Sequence, residues 1–163
     1  MLKANQLTAL GLSALLSFSA LANQAEALLI DNPYVREMPP SAPATGAFMT
    51  FENASDADVV LIKAKSDAAK IVELHTHIHD NGVMRMREIP EIVITANQQV
   101  ELKPGGLHIM LINPTRALKE GETVEIDLEF KDGSTTKISA PVKKIMGMGM
   151  NRGDGQGRHM MGQ

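Results

Sequence analysis

Apolar and polar positions along this chain alternate far more often than they recur at helical spacing. The clearest run is 123–130, where Val124, Ile126, Leu128 and Phe130 alternate with Thr123, Glu125, Asp127 and Glu129, a strand with one dry and one wet face. Lys131-Asp132-Gly133-Ser134 then turns the chain into a return strand over 137–142. Earlier, a strand over 47–51 stops at Asn53-Ala54-Ser55-Asp56, and 59–64 makes a second short apolar run. Over 72–79, Val72, Leu74 and Ile78 take one face while Glu73, His75, His77 and His79 take the other, because successive strand side chains point to opposite sides. Asn81-Gly82 follows, the strongest two-residue hairpin signal because both residues tolerate positive φ, so 83–89 is expected to return. Brief strands at 92–94 and 100–102 flank Ala96-Asn97, and Pro104-Gly105-Gly106 turns the chain into 107–112.

Sustained spacing of 3.6 is absent and strands recur every eight to twelve residues or so. The pattern predicts an all-β fold over 23–145, an antiparallel Greek-key β-sandwich of the immunoglobulin or cupredoxin general type. The two ends read differently. Lys3 precedes an apolar stretch over 7–21, and Ala20-Leu21-Ala22 fits the small-x-small rule, so 1–22 is expected to be a signal peptide cleaved after Ala22. Ala25-Glu26-Ala27 is a second candidate. The apolar stretch is shorter than the ~20 residues a span requires, which predicts an exported, periplasmic protein that does not span the membrane once the signal is removed. Residues 146–163 hold six glycines with Met146, Met148, Met150, Met160, Met161, His159, Arg152 and Arg158, too little apolar surface to fold alone. They read as a flexible Met/Gly-rich tail.

Composition narrows the chemistry. An apolar share of 44% with 21% charged residues is ordinary for one globular domain. The chain has eleven methionines and five histidines but no cysteine, which excludes disulfide scaffolds, thiol nucleophiles, thiolate zinc sites and the His/His/Cys electron-transfer copper site. A net charge of −3 argues against nucleic-acid binding. Neither paired catalytic carboxylates, nor a serine nucleophile motif, nor a phosphate-binding glycine loop is found, and an enzyme is not expected.

The hairpin rule sets a register. If Asn81 and Gly82 are the central turn residues, Asp80 pairs with Val83, His79 with Met84 and His77 with Met86, and His75 becomes the diagonal neighbour of Met86. On the later strand Leu107, Ile109 and Leu111 share one side, which leaves His108 and Met110 on the other. Two groups of imidazoles and thioethers result. Cu(I) is the soft ion that accepts both donors, whereas zinc favours carboxylate or thiolate partners and Ca²⁺ or Mg²⁺ require oxygen clusters. This geometry does not select His75 over His77. Met38 and Met49 have no histidine near them in sequence and are expected to pack, and Arg85 and Arg87 are expected to keep a face soluble.

The spacing His75, ten residues, Met86, twenty-one residues, then His108-x-Met110 resembles the signature of the periplasmic copper chaperone family written PCu(A)C. The strings Glu73-Leu74-His75-Thr76-His77, Gly82-Val83-Met84-Arg85-Met86-Arg87 and Pro104-Gly105-Gly106-Leu107-His108-Ile109-Met110-Leu111 share the resemblance, as do Thr45-Gly46-Ala47 and Ala140-Pro141-Val142. It implies a cupredoxin-like sandwich that binds one Cu(I) through His75, Met86, His108 and Met110. It also implies delivery of that ion to a copper-accepting protein, a cytochrome c oxidase subunit or its assembly factor at the copper A site. His77 and His79 stand as auxiliary ligands or solvated surface imidazoles. The tail has three readings: a second copper site of Met146, Met148, Met150, His159, Met160 and Met161, in either oxidation state including Cu(II), a partner-docking segment, or a plain disordered end. The alternative function is copper sequestration without a dedicated recipient.

Overall fold

The computed structural model describes residues 23–39, 41–80 and 82–144. The expected signal peptide and the Met/Gly-rich tail lie outside them. Ten strands are present among the described residues: β1 (Leu28–Arg36), β2 (Ala44–Asn53), β3 (Val59–Lys65), β4 (Ala69–Asp80), β5 (Val83–Glu88), β6 (Ile92–Ile94), β7 (Gln99–Leu102), β8 (His108–Pro114), β9 (Thr123–Phe130) and β10 (Thr135–Lys143). They hydrogen-bond in the order β5-β4-β8-β2-β1-β10-β9-β3-β6, with β7 added to β2. None of the described residues forms a helix long and apolar enough to cross a membrane.

Alternation converts directly into burial along β9, where Val124, Ile126, Leu128 and Phe130 are all buried while Thr123 and Glu125 face water. β10 answers in register, Ile126 opposite Ile138 and Val124 opposite Ala140. On the other flank Phe51 of β2, Leu102 of β7, Leu74 of β4, and Ile109 and Leu111 of β8 turn inward. Side chains from both flanks belong to one apolar cluster, although β8 and β3 lie far apart in the strand order. The sheet therefore folds over on itself as a sandwich. The Asn53 side-chain amide crosses between the flanks, donating to the Ile94 carbonyl at 3.0 Å.

The structure departs from the expected sandwich in two places. β1 is a strand the alternation does not reveal, because Asn32 has φ of 50°, Pro33 follows, and the register with β2 shifts between Asp31 and Tyr34. Such a bulge adds a residue and breaks the period of two. The sheet is also not wholly antiparallel: β1 lies parallel to β10, Val35 beside Val142 and Arg36 beside Lys143. That pair joins the first and last strands of the domain and closes the two flanks along one side.

Candidate metal centre

The hairpin register is the one the turn chemistry predicts: Asp80 opposite Val83, His79 opposite Met84, His77 opposite Met86, and His75 opposite Glu88. Gly82 takes φ of 80° at the turn, where a side chain would be strained. β4 is flanked on its other edge by β8, with His75 opposite His108 and Glu73 opposite Met110. Residues opposite one another across a ladder project to the same face. β4 thus joins the two His/Met groups that are separate in sequence, and His75, His77, Met86, His108 and Met110 share the outer face of the sandwich.

β2 supplies the floor beyond β8. Gly46 is opposite Met110, and a Cβ there would lie 2.7 Å from Cζ of Phe48. The glycine lets that ring lie flat over the strand, between Tyr34 at 5.2 Å and the His108 imidazole at 6.1 Å between centroids. The result is an apolar wall beside the donors. A pocket of about 420 Å³ opens here, lined by His77, Met86, His108 and Met110 together with Met38, Phe48, Pro104 and Gly105.

The imidazoles of His75, His77 and His108 each have one nitrogen occupied. A carboxylate and a carbonyl can only accept, so the histidine must donate. His75 donates from Nε2 to Glu73 Oε2 at 2.8 Å, and its Nδ1 is buried without a partner. His108 donates from Nδ1 to the Gly106 carbonyl at 3.0 Å, and His77 Nδ1 is 3.4 Å from the same oxygen. The rings of His75 and His77 lie 5.7 Å and 5.2 Å from His108. Burial lowers the His108 pKa, and the nearby His77 and His75 add to that, while the bond to Gly106 opposes it. An imidazole held neutral, with one nitrogen tied to an acceptor, presents the other as a metal donor.

A buried polar atom without a partner is costly, so His75 Nδ1 is the observation that speaks for a bound ion. Among the described residues no three His, Asp or Glu side chains form a group able to hold a metal. The donors available beside the imidazoles are thioethers, and a soft ion fits them.

Of the expected ligands, His108 is 4% exposed and Met86 44%, one deep and one at the surface. His75 does not line the pocket, whereas His77 does, so the structure keeps both histidines beside His108. His79 is exposed next to the hairpin turn, opposite exposed Met84. The candidate tail ligands Met146, Met148, Met150, His159, Met160 and Met161 lie outside the described residues. Met49 packs in the core as expected. Two contributors escaped the sequence reading: Glu73, seen only as a member of the polar face, and Phe48, seen only as part of a strand. A carboxylate two residues before a histidine on a strand shares its face, and that spacing was the available signal for Glu73.

The model of the LpqE-like family, described as "Putative lipoprotein LpqE-like", matches residues 28–142. The solution structure of CuI-DR1885 from Deinococcus radiodurans is 36% identical with a TM-score of 0.62, covering 78% of this chain and 87% of that one. The copper-bound PCuAC domain from PmoF2 superposes at a TM-score of 0.61 and 22% identity over 73% of this chain and 94% of that one, a likeness of fold. "Putative lipoprotein Lxx21020" of Leifsonia xyli subsp. xyli is 34% identical over 108 residues, 66% of this chain and 65% of that protein. The match thus spans just under two thirds of this curated relative.

Proposed function

The chain belongs to the LpqE-like family, and from that premise and the His/Met face we propose that it binds Cu(I) and hands it to another protein. The observation that carries this reading is the convergence on one outer face of His75, Met86, His108 and Met110, brought together by the β5-β4-β8 order. Four neutral donors leave the charge of the ion uncompensated, which favours a monovalent soft ion over a divalent one. Met86 at the surface and His108 beneath it make a graded site: an acceptor's ligand displaces the outer thioether first, and the ion leaves without being released to water.

The relatives named as lipoproteins and the leader-like residues 1–22 support export to the periplasm. There the recipient we propose is a cytochrome c oxidase subunit or its assembly factor at the copper A site. The alternative of sequestration draws on the five methionines of 146–163, which would add capacity. Deletion of the gene separates the two: a chaperone's absence lowers oxidase activity under copper limitation, and a sequestering protein's absence lowers survival under copper excess.

The binding reading is tested by competition with a Cu(I) chelator. The double change Met86→Leu with Met110→Leu is expected to weaken affinity on the order of 10²-fold or more, at least the scale reached by partners outside the ligand set. Unchanged affinity would remove the four-residue site. Stoichiometry of the full chain against one ending at Lys144 measures what the tail adds.

A further inference from the structure

Met38 is 5% exposed, yet it stands outside the apolar cluster that forms the core. It bridges to buried Leu118 on one side and on another borders the pocket on the outer face, whose lining it shares with His77, Met86, His108 and Met110. Its backbone is held in place: the Met38 N–H donates to the Leu118 carbonyl at 3.1 Å, and the preceding Glu37 N–H donates to the Lys143 carbonyl at 2.8 Å. The segment that carries this thioether is therefore fixed to the ends of two other parts of the domain, while the side chain has the three rotatable bonds that let a methionine adapt. A residue that served only to fill space here would lose less rotamer freedom as leucine or isoleucine. The pocket it borders carries two further thioethers, Met86 and Met110, and two imidazoles, His77 and His108.

We propose that Met38 is a further copper-ligating residue, a thioether contributed from the segment after β1, which takes up the ion while one of the strand-borne ligands is exchanged. This rests on the copper-binding reading above and adds a third sulfur to it. It also accounts for the pocket's extension across β8 and β2 toward Arg36 and Pro39, a wall that the four strand-borne ligands do not require. Copper stays Cu(I) throughout: the Cu–S bond to Met38 forms, one Cu–ligand bond of the strand-borne set then breaks, and the donor count is restored with no electron transferred.

The test uses the full chain labelled with ¹³C at the methionine methyls, assigned by single Met→Leu substitutions and titrated anaerobically with Cu(I) to saturation. The Met38 methyl is expected to move together with those of Met86 and Met110, while that of Met49, in the core, stays. Met38→Leu, which conserves volume, is expected to lower Cu(I) affinity about tenfold and to remove sulfur from the copper coordination shell seen by X-ray absorption. If Met86 and Met110 move and Met38 does not, the proposal falls and the copper site stands. If none of the three moves, the copper site falls and Met38 with it. Should Met38→Leu fail to fold, the Met38 methyl is assigned by elimination from the other Met→Leu variants, and the wild-type methyl titration decides.

Discussion

The β9–β10 and β4–β5 hairpins are built with the same local chemistry and differ in what stands behind them. Both turn on a glycine with positive φ, Gly133 at 83° and Gly82 at 80°, and both alternate two kinds of side chain. In β9–β10 the inner side chains meet the opposite flank and are buried, from Val124 to Phe130 and from Ile138 to Val142. In β4–β5 burial fades along the strand, from Leu74 at 4% to partly buried Ile78, and every residue of β5 is exposed. The first hairpin anchors the domain. The second extends past the core and keeps soft donors where another protein can reach them. On the proposed reading, stability and ion handling fall to different hairpins, and this separation makes exposed thioethers tolerable.

That separation is open to direct attack. Phe130→Ala, in the fully buried end of β9, is expected to cost about 3–5 kcal/mol in denaturant unfolding, whereas the Met86→Leu change on β5 should leave unfolding within about 0.5 kcal/mol. A large loss from Met86→Leu would show that the hairpin arm also supports the fold. Gly46→Ala places a Cβ against the Phe48 ring and should cost about 1–3 kcal/mol through overpacking. Because Gly46 lies opposite Met110, copper affinity should fall with it, which chelator competition on the folded variant reads. Glu73→Leu removes the acceptor that holds His75 and is expected to weaken Cu(I) binding about tenfold with little change in melting temperature. Glu73→Gln, which retains an acceptor, should lose less.

The smallest effect is on pH. The His108 pKa is lowered in the folded chain, so between that value and the unfolded value near ~6.5 the unfolded chain binds more protons. The contribution of His108 to the stability of the copper-free protein is then fully present above pH ~6.5 and is lost as pH drops through this window. Thermal melts at neutral and mildly acidic pH should show the slope, and His108→Gln should flatten it. A slope unchanged by that substitution would move the titration to another group.

Much of the fold was legible because burial follows alternation wherever a strand is backed by the core. The β9 pattern, the Asn81-Gly82 turn and the register of His77 with Met86 all follow from local rules with a period of two. β1 was not legible, since Asn32 and Pro33 interrupt that period, and neither was its parallel pairing with β10, which joins segments more than a hundred residues apart. The same limit applies to the site. Local rules place His75 and Met86 on one face and His108 with Met110 on another strand's face, but they do not say which strands are neighbours.

By itself, then, the amino-acid sequence determined the donor types, the absence of thiolate, the strand faces and the hairpin that presents His77 to Met86. Each follows from side-chain chemistry or from contacts between residues near in sequence. Only the tertiary structure decided that β8 lies against β4, that His75 Nδ1 is buried without a partner, and that Met38 lines the pocket beside His77, Met86, His108 and Met110. Those depend on which distant segments pack together, a choice made by burying one continuous apolar cluster from both flanks.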